Sequence, residues 1–180
     1  MRNDVQAHEE SRIGLDLQQI AESISTAMKN VESDYLEQPL MGLSEKAIYR
    51  SLERVYAYEL YHQMRLQFAG SDFSVAGEPV KRSSAVYYRT RRIPDLIIHK
   101  PASSSNLAVI EIKSVWNLGL PGQKKDAGTA DEFVKCLDYK HSVFICFGVR
   151  DLEKIDLDRL RVSFSVGLQH KRDKEVLKLW

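Results

Sequence analysis

The chain has 180 residues, 43% of them hydrophobic and 28% charged, with a formal net charge of +1. That is about one soluble globular domain with enough chain for a good core, and near-neutrality sets aside a strongly basic nucleic-acid module while leaving room for a local positive patch. The apolar runs are far too short to span a membrane, MRNDVQAHEE has no apolar signal core, and Cys136 and Cys146 lack metal-ligand spacing, so free core thiols in a reducing, bacterial-type cytoplasm are expected.

Residues 1–10 are polar and expected to fray. From Ile13 to Val31 the pattern turns helical, with Leu17, Ile20, Ile24, Met28 and Val31 at spacings of three and four. This helix should pack on the outside of the core. The run Gln38-Pro39-Leu40-Met41-Gly42 breaks the pattern. A second helix is expected from Ser44, an N-cap with Glu45 in the first turn, to about Phe68, with Gly70 ending it. Its row Ile48, Leu52, Val55, Glu59 puts Glu59 on the apolar face, where a carboxylate needs a cation or a neighbour such as Gln63 or His62. Tyr56, Tyr58 and Tyr61 read as core or rim aromatics. A first strand is expected at Phe73–Lys81, bent at Pro79, with Glu78 as a second candidate acid. Lys81 to Arg92 then holds five basic residues and two tyrosines in twelve positions. Such interleaving suits a phosphate backbone with exposed bases; the plainer reading is a solvated hairpin or loop.

The segment Arg92–Trp116 carries the densest pattern. Two short apolar runs, Leu96–Ile98 and Leu107–Ile112, flank Pro-Ala-Ser-Ser-Ser-Asn and read as neighbouring buried strands. Alternation puts Val109, Glu111 and Lys113 on one face of the second strand, and Ile110 and Ile112 on the other. Asp95, on the adjacent strand, should converge with Glu111 and Lys113, the two carboxylates close enough to share a cation. Buried charges of this kind are costly unless paired or used. Residues 117–128 read as a Gly-rich basic loop containing Lys124 and Lys125. Thr129-Ala130-Asp131-Glu132 reads as a capping box opening a helix to Tyr139, with Phe133, Cys136 and Leu137 inward and Asp131–Lys135 as a surface ion pair. A central strand at His141–Val149, a helix near Asp156–Val162, a strand at Phe164–Leu168 and a strand or short helix at Val176–Trp180 complete the chain. One domain, 1–180, is expected: a helical extension at 1–42, a core at 44–149 and a C-terminal extension at 150–180.

Pro94-Asp95 followed by Glu111-Ile112-Lys113 resembles the signature of the PD-(D/E)XK nuclease superfamily, over the stretch from Ser44 to Val149. Asp138-Tyr139-Lys140 is a decoy, because it falls at a helix end rather than in a strand. The resemblance implies an α/β fold with a restriction-endonuclease-like core, a mixed central sheet flanked by helices. It implies DNA phosphodiester hydrolysis with Mg2+ or Mn2+, leaving 5′-phosphate and 3′-hydroxyl ends. Asp95, Glu111 and the Ile112 carbonyl would hold the metal, and Lys113 would position water and stabilise the transition state. Glu59 resembles the acid that related enzymes carry on the helix before the sheet. Lys81, Arg82, Arg89, Arg91, Arg92, Lys124 and Lys125 would contact nucleic acid. Lys135 or Tyr139 could also reach a phosphate. A homodimer or a partner protein could supply specificity. The alternatives are a structural salt bridge at a sheet edge, or a catalytically inactive nucleic-acid-binding or protein-interaction module of the same fold, using residues 1–40 for contact.

Overall fold

The computed structural model describes residues 15–40, 48–50, 52–78, 93–118, 120–148, 158–171 and 174–180. Helix α1 (Leu17–Asn30) is opened by a reciprocal cap: Asp16 Oδ1 accepts from the Gln19 N–H, and Gln19 Oε1 accepts from the Asp16 N–H. Its row Ile20, Ile24, Ala27 and Met28 is buried. A 3-10 turn (Ser33–Tyr35) leads to strand β1 (Gln38–Leu40), which pairs antiparallel with β2 (Ile48–Arg50). Helix α2 (Glu53–Gln67) follows and buries Tyr56, Leu60 and Met64. The chain continues through β3 (Ser74–Gly77), β4 (Leu96–His99), β5 (Asn106–Ser114), a 3-10 turn (Val115–Asn117), α3 (Leu120–Leu137), β6 (His141–Phe147), α4 (Asp158–Ser163), β7 (Val166–His170) and β8 (Val176–Lys178).

Among the described residues, β3 to β8 form a six-stranded sheet in sequence order. The short connection between β4 and β5 makes them antiparallel, as are β3 and β4. Strands β5, β6 and β7 run parallel, and α3 supplies the crossover that a parallel pair requires. Strand β8 returns antiparallel to β7. The inner parallel strands are covered on both faces, which is why β5 and β6 read as nearly unbroken apolar runs. Helices α1 and α2 cover Ile110, Ile112, Val143, Ile145 and Phe147 on one face. On the other, Val109 and Ile97 meet Phe133 and Tyr139, while Phe144 and Cys146 meet Ala130, Leu160 and Phe164. The fold is therefore α/β, with a mixed sheet flanked by helices.

Two contacts lock the later strands. Tyr56 of α2 stacks on Phe147 of β6 at 3.9 Å between ring centroids, 3° from parallel, and its hydroxyl meets His170 Nδ1 at 3.1 Å. At the far end, Trp180 lies on Gly167, where a Cβ would come within 2.6 Å of the indole, and its Nε1 donates to the Phe164 carbonyl at 3.2 Å.

Several expected elements change. Residues Ile48–Arg50 form a strand and not the first turns of a helix, and α2 starts at Glu53. Ile48 and Tyr49 are good strand formers, and pairing with Gln38–Leu40 satisfies their backbone. The glycine-rich stretch after Asn117 is helical from Leu120, because Pro121 suits a first turn, having no N–H to leave unpaired. Lys124 and Lys125 thus stand on a helix. Thr129, expected as a cap, is buried in mid-helix. Cys136 is exposed and not inward-facing, while Cys146 is in the core. Strand β7 begins at Val166 because Phe164 still closes α4, its N–H bonded to the Leu160 carbonyl. The ambiguous tail resolves as strand Val176–Lys178. Residues 1–14, 41–47, 79–92 and 149–157, on which parts of other expected elements fall, lie outside the described residues. No helix among the described residues is long and apolar enough to cross a membrane.

Candidate active site

The register Leu96↔Ile110 and Ile97↔Val109 sets Asp95, one residue before β4, level with Glu111 on β5. Ile112 therefore faces the point where the β4 ladder stops. There the Asp95 carboxylate replaces a strand carbonyl: Oδ2 accepts from the Ile112 N–H at 2.6 Å. The Asp95 carbonyl accepts in turn from the Glu78 N–H at 2.9 Å, so β3 clamps the same residue from its other side.

On β5, Glu111 and Lys113 share the face of Val109, as alternation requires. Glu111 is only 4% exposed. Lys113 reaches the end of the sheet, where its Nζ meets Glu53 Oε2 at 3.5 Å. Glu53 is the first residue of α2, where a carboxylate also complements the helix dipole. Its Oε1 accepts from the Ser114 N–H at 3.0 Å and from Asn117 Nδ2 at 2.9 Å. One carboxylate thereby ties the start of α2 to the end of β5.

Burial raises the proton affinity of Asp95 above the ordinary aspartate value, and the nearby Glu53 and Glu78 carboxylates push the same way; the Ile112 N–H and the Lys113 ammonium oppose them. Asp95, Glu53, Glu78 and Lys113 thus form one electrostatic group. A cleft of about 470 Å³ opens beside it, lined among others by Glu53, Arg54, Tyr58, Tyr61, Glu78 and Asp95. Arg54 pairs with Glu78 at 3.5 Å.

Of the residues singled out in the sequence, Asp95 and Ile112 line this cleft, Lys113 touches its Glu53, and Glu111 lies level with Asp95. Glu59 does not line it. It accepts from Gln63 Nε2 at 2.6 Å, the pairing foreseen as the alternative. Glu78 and Glu53 are the acids that do stand beside Asp95. Glu53 escaped sequence reading because the helix was started too early, which put it in mid-helix. The readable signal was an acidic residue a few positions after the β-branched and aromatic pair Ile48-Tyr49.

Lys135 pairs with Asp131 at 3.3 Å, as expected, and Tyr139 is buried against Phe133 at 5.6 Å between centroids; neither lines the cleft. Burial pushes the Tyr139 phenol up, as befits a core residue. The decoy Asp138-Tyr139-Lys140 follows α3, with Asp138 in the left-handed region at φ 54°. Lys81, Arg82, Arg89, Arg91 and Arg92 lie outside the described residues, as do the side chains of Lys124 and Lys125. Among the described residues, no three His, Cys, Asp or Glu side chains gather into a metal-holding group. Comparison of the chain with protein-family models, with curated proteins and with solved structures finds no match in any of the three.

Proposed function

We propose that the chain is a metal-dependent phosphodiesterase acting on DNA, built on a restriction-endonuclease-like core. The observation that carries this reading is the hydrogen bond from the Ile112 N–H to Asp95 Oδ2, which joins the Pro-Asp pair to the Glu-Ile-Lys tripeptide on adjacent strands. The order α2, β3, β4, β5, α3, β6 also agrees with the order that the resemblance implies.

The donor set fits a hard divalent cation such as Mg2+ or Mn2+. Asp95 and Glu111 offer carboxylate oxygens and Ile112 a carbonyl, and waters commonly complete such a shell. Asp95 is a desolvated carboxylate crowded by two others, a situation that a cation relieves. When bound, the ion supplies Lewis acidity toward the phosphate and a more acidic water. The chain's own residues do the rest. Lys113, held near the site by its 3.5 Å contact with Glu53, offers an ammonium to the attacking water and to charge building on the phosphate. The water oxygen bonds to phosphorus, the P–O3′ bond breaks, and O3′ takes a proton, leaving 5′-phosphate and 3′-hydroxyl ends. Lys81, Arg82, Arg89, Arg91, Arg92, Lys124 and Lys125 are the candidates for phosphate contact, and a second copy or another protein would supply specificity.

A second reading has its own support. The Ser114 N–H, Asn117 and Lys113 all engage Glu53, so the charged cluster also serves as a structural clamp in an inactive binding module. The deciding experiment is cleavage of supercoiled, linear, single-stranded and branched DNA with Mg2+, Mn2+ or EDTA, with Asp95→Ala alongside. Metal-dependent cleavage lost in the variant upholds the enzyme. No cleavage of any substrate by wild type gives the clamp reading precedence.

A further inference from the structure

Arg54, Tyr58, Tyr61 and Arg65 recur on α2 at spacings of four, three and four, which places them in one stripe along the helix. The stripe is not the buried face, which is Tyr56, Leu60 and Met64. Tyr58 is 59% exposed. Tyr61 is half-buried at the core margin, and the Arg65 guanidinium sits 5.8 Å from its ring centroid. Arg54, Tyr58 and Tyr61 line the cleft that holds Asp95. Tyr61 also lines a second cleft, of about 530 Å³, together with Arg65, Phe68 and Phe73. Tyr61 lines both clefts, the first beside Asp95 and the second at the far end of α2, so together they outline a groove along the helix with Tyr61 at the step between its halves.

We propose that this groove binds an unpaired nucleic-acid strand and leads it to Asp95, a proposal that rests on the phosphodiesterase reading for what happens at that end. From Arg54 to Arg65 the helix advances about 16 Å at ~1.5 Å per residue, room for a few nucleotides. The tyrosine faces would stack on bases without regard to sequence, and the arginines would take phosphates and stack on neighbouring bases. A duplex offers its phosphates but not its base faces, which are already stacked on one another. The Arg54–Glu78 pair is no obstacle: both side chains are largely exposed, and an exposed ion pair is readily exchanged for a phosphate.

Fluorescence anisotropy in EDTA on the full chain tests this, with a labelled oligo-dT strand and a labelled duplex of equal length. The strand should bind more tightly than the duplex. Tyr58→Ala should weaken strand binding about tenfold, the scale of one lost base–aromatic stack. Tyr58→Phe should preserve it, and duplex binding should respond to neither change. Arg65→Ala should reduce the salt slope for the strand by about 0.7. Duplex binding as tight as strand binding, or Tyr58→Ala binding the strand like wild type, overturns the proposal. The two readings fail separately. Should wild type hold the strand through Tyr58 yet cleave nothing, the groove is upheld and the phosphodiesterase falls. Should wild type cleave duplex while Tyr58→Ala changes no strand binding, the groove falls and the phosphodiesterase stands.

Discussion

The backbone N–H of Ile112 and the Oδ2 of Asp95 lie 2.6 Å apart, a charge-assisted bond between adjacent strands. It fixes the carboxylate yet does not fully repay its burial, because the proton affinity of Asp95 remains above the ordinary value of 3.8. In the window between that value and the raised one, the native state holds a proton that the unfolded chain has released. Stability therefore falls as pH rises through that window, and the ionised carboxylate is a net cost above it. Asp95→Asn should remove this dependence and leave the protein as stable as wild type, or more so, at neutral pH. Urea midpoints across a pH series read the effect. A variant whose stability is lower at neutral pH, with the same pH slope, would assign the slope to another group.

The same proton affinity bears on metal. A cation bound at Asp95 would compete with the proton there, so apparent Mg2+ affinity should climb with pH through the Asp95 titration and level off above it. Calorimetric titration in buffers of different ionisation enthalpy should show proton release within that window. Asp95→Ala should lose both the release and most of the binding.

Lys113 and Glu53 touch but should fail differently. Lys113→Ala leaves the carboxylates in place and removes a nearby positive charge. Metal should bind as well as before or better, while single-turnover cleavage drops on the order of a hundredfold, as for loss of one transition-state donor. Glu53→Ala strands the Ser114 N–H and the Asn117 amide. It should cost about 1–3 kcal/mol of stability. Equal cleavage by wild type and Lys113→Ala would dismiss the lysine's role.

The hydroxyl of Tyr56 and His170 Nδ1 bond in the interior beneath the Tyr56–Phe147 stack. Tyr56→Phe keeps the stack and removes the bond. The expected loss is about 1–3 kcal/mol, because a buried ring nitrogen is deprived of this neighbour. Tyr56→Ala should lose more, about 3–5 kcal/mol, by opening a cavity. Denaturant melts of both variants give the comparison, and a Tyr56→Phe variant as stable as wild type would mean the hydroxyl contributes nothing.

Gly167→Ala would drive a methyl group into the indole of Trp180. Overpacking of this kind costs about 1–3 kcal/mol. Trp180→Leu should recover part of it in the double variant, a coupling that two independent sites would not show. Tryptophan emission should also shift in Gly167→Ala if the indole is displaced.

Strands β5 and β6 were legible because inner parallel strands must be apolar on both faces, and β4, though antiparallel to both its neighbours, is as buried, so their residues stand out without any partner being known. Alternation and a short connection put Asp95 and Glu111 on adjacent strands; the register that sets them level is seen in the fold. What escaped depended on distant contacts. The strand Ile48–Arg50 is three residues long, too short to show a period, and Pro39 in its mate reads as a break. Glu53 looks like any helical glutamate until Ser114 and Asn117 are brought to it by folding. Glu59, on the apolar row of a helix begun too early, looked buried and in need of a cation or a neighbour such as Gln63 or His62. Gln63, one turn along, was enough.

Helix α1 is the first described element, yet its apolar face shares one core with Val166, Leu168 and Val176 of the last two strands. On the ribosome those strands are made after every other described element. Until they emerge, α1 and α2 have only part of the surface they will cover, and the parallel pairs β5–β6 and β6–β7 must wait for their crossovers. Such non-local closure is slow and leaves greasy surface open meanwhile. A nascent chain halted after β6 would already carry Asp95, Glu111 and Lys113, but on a sheet missing the strands that its first helix rests against.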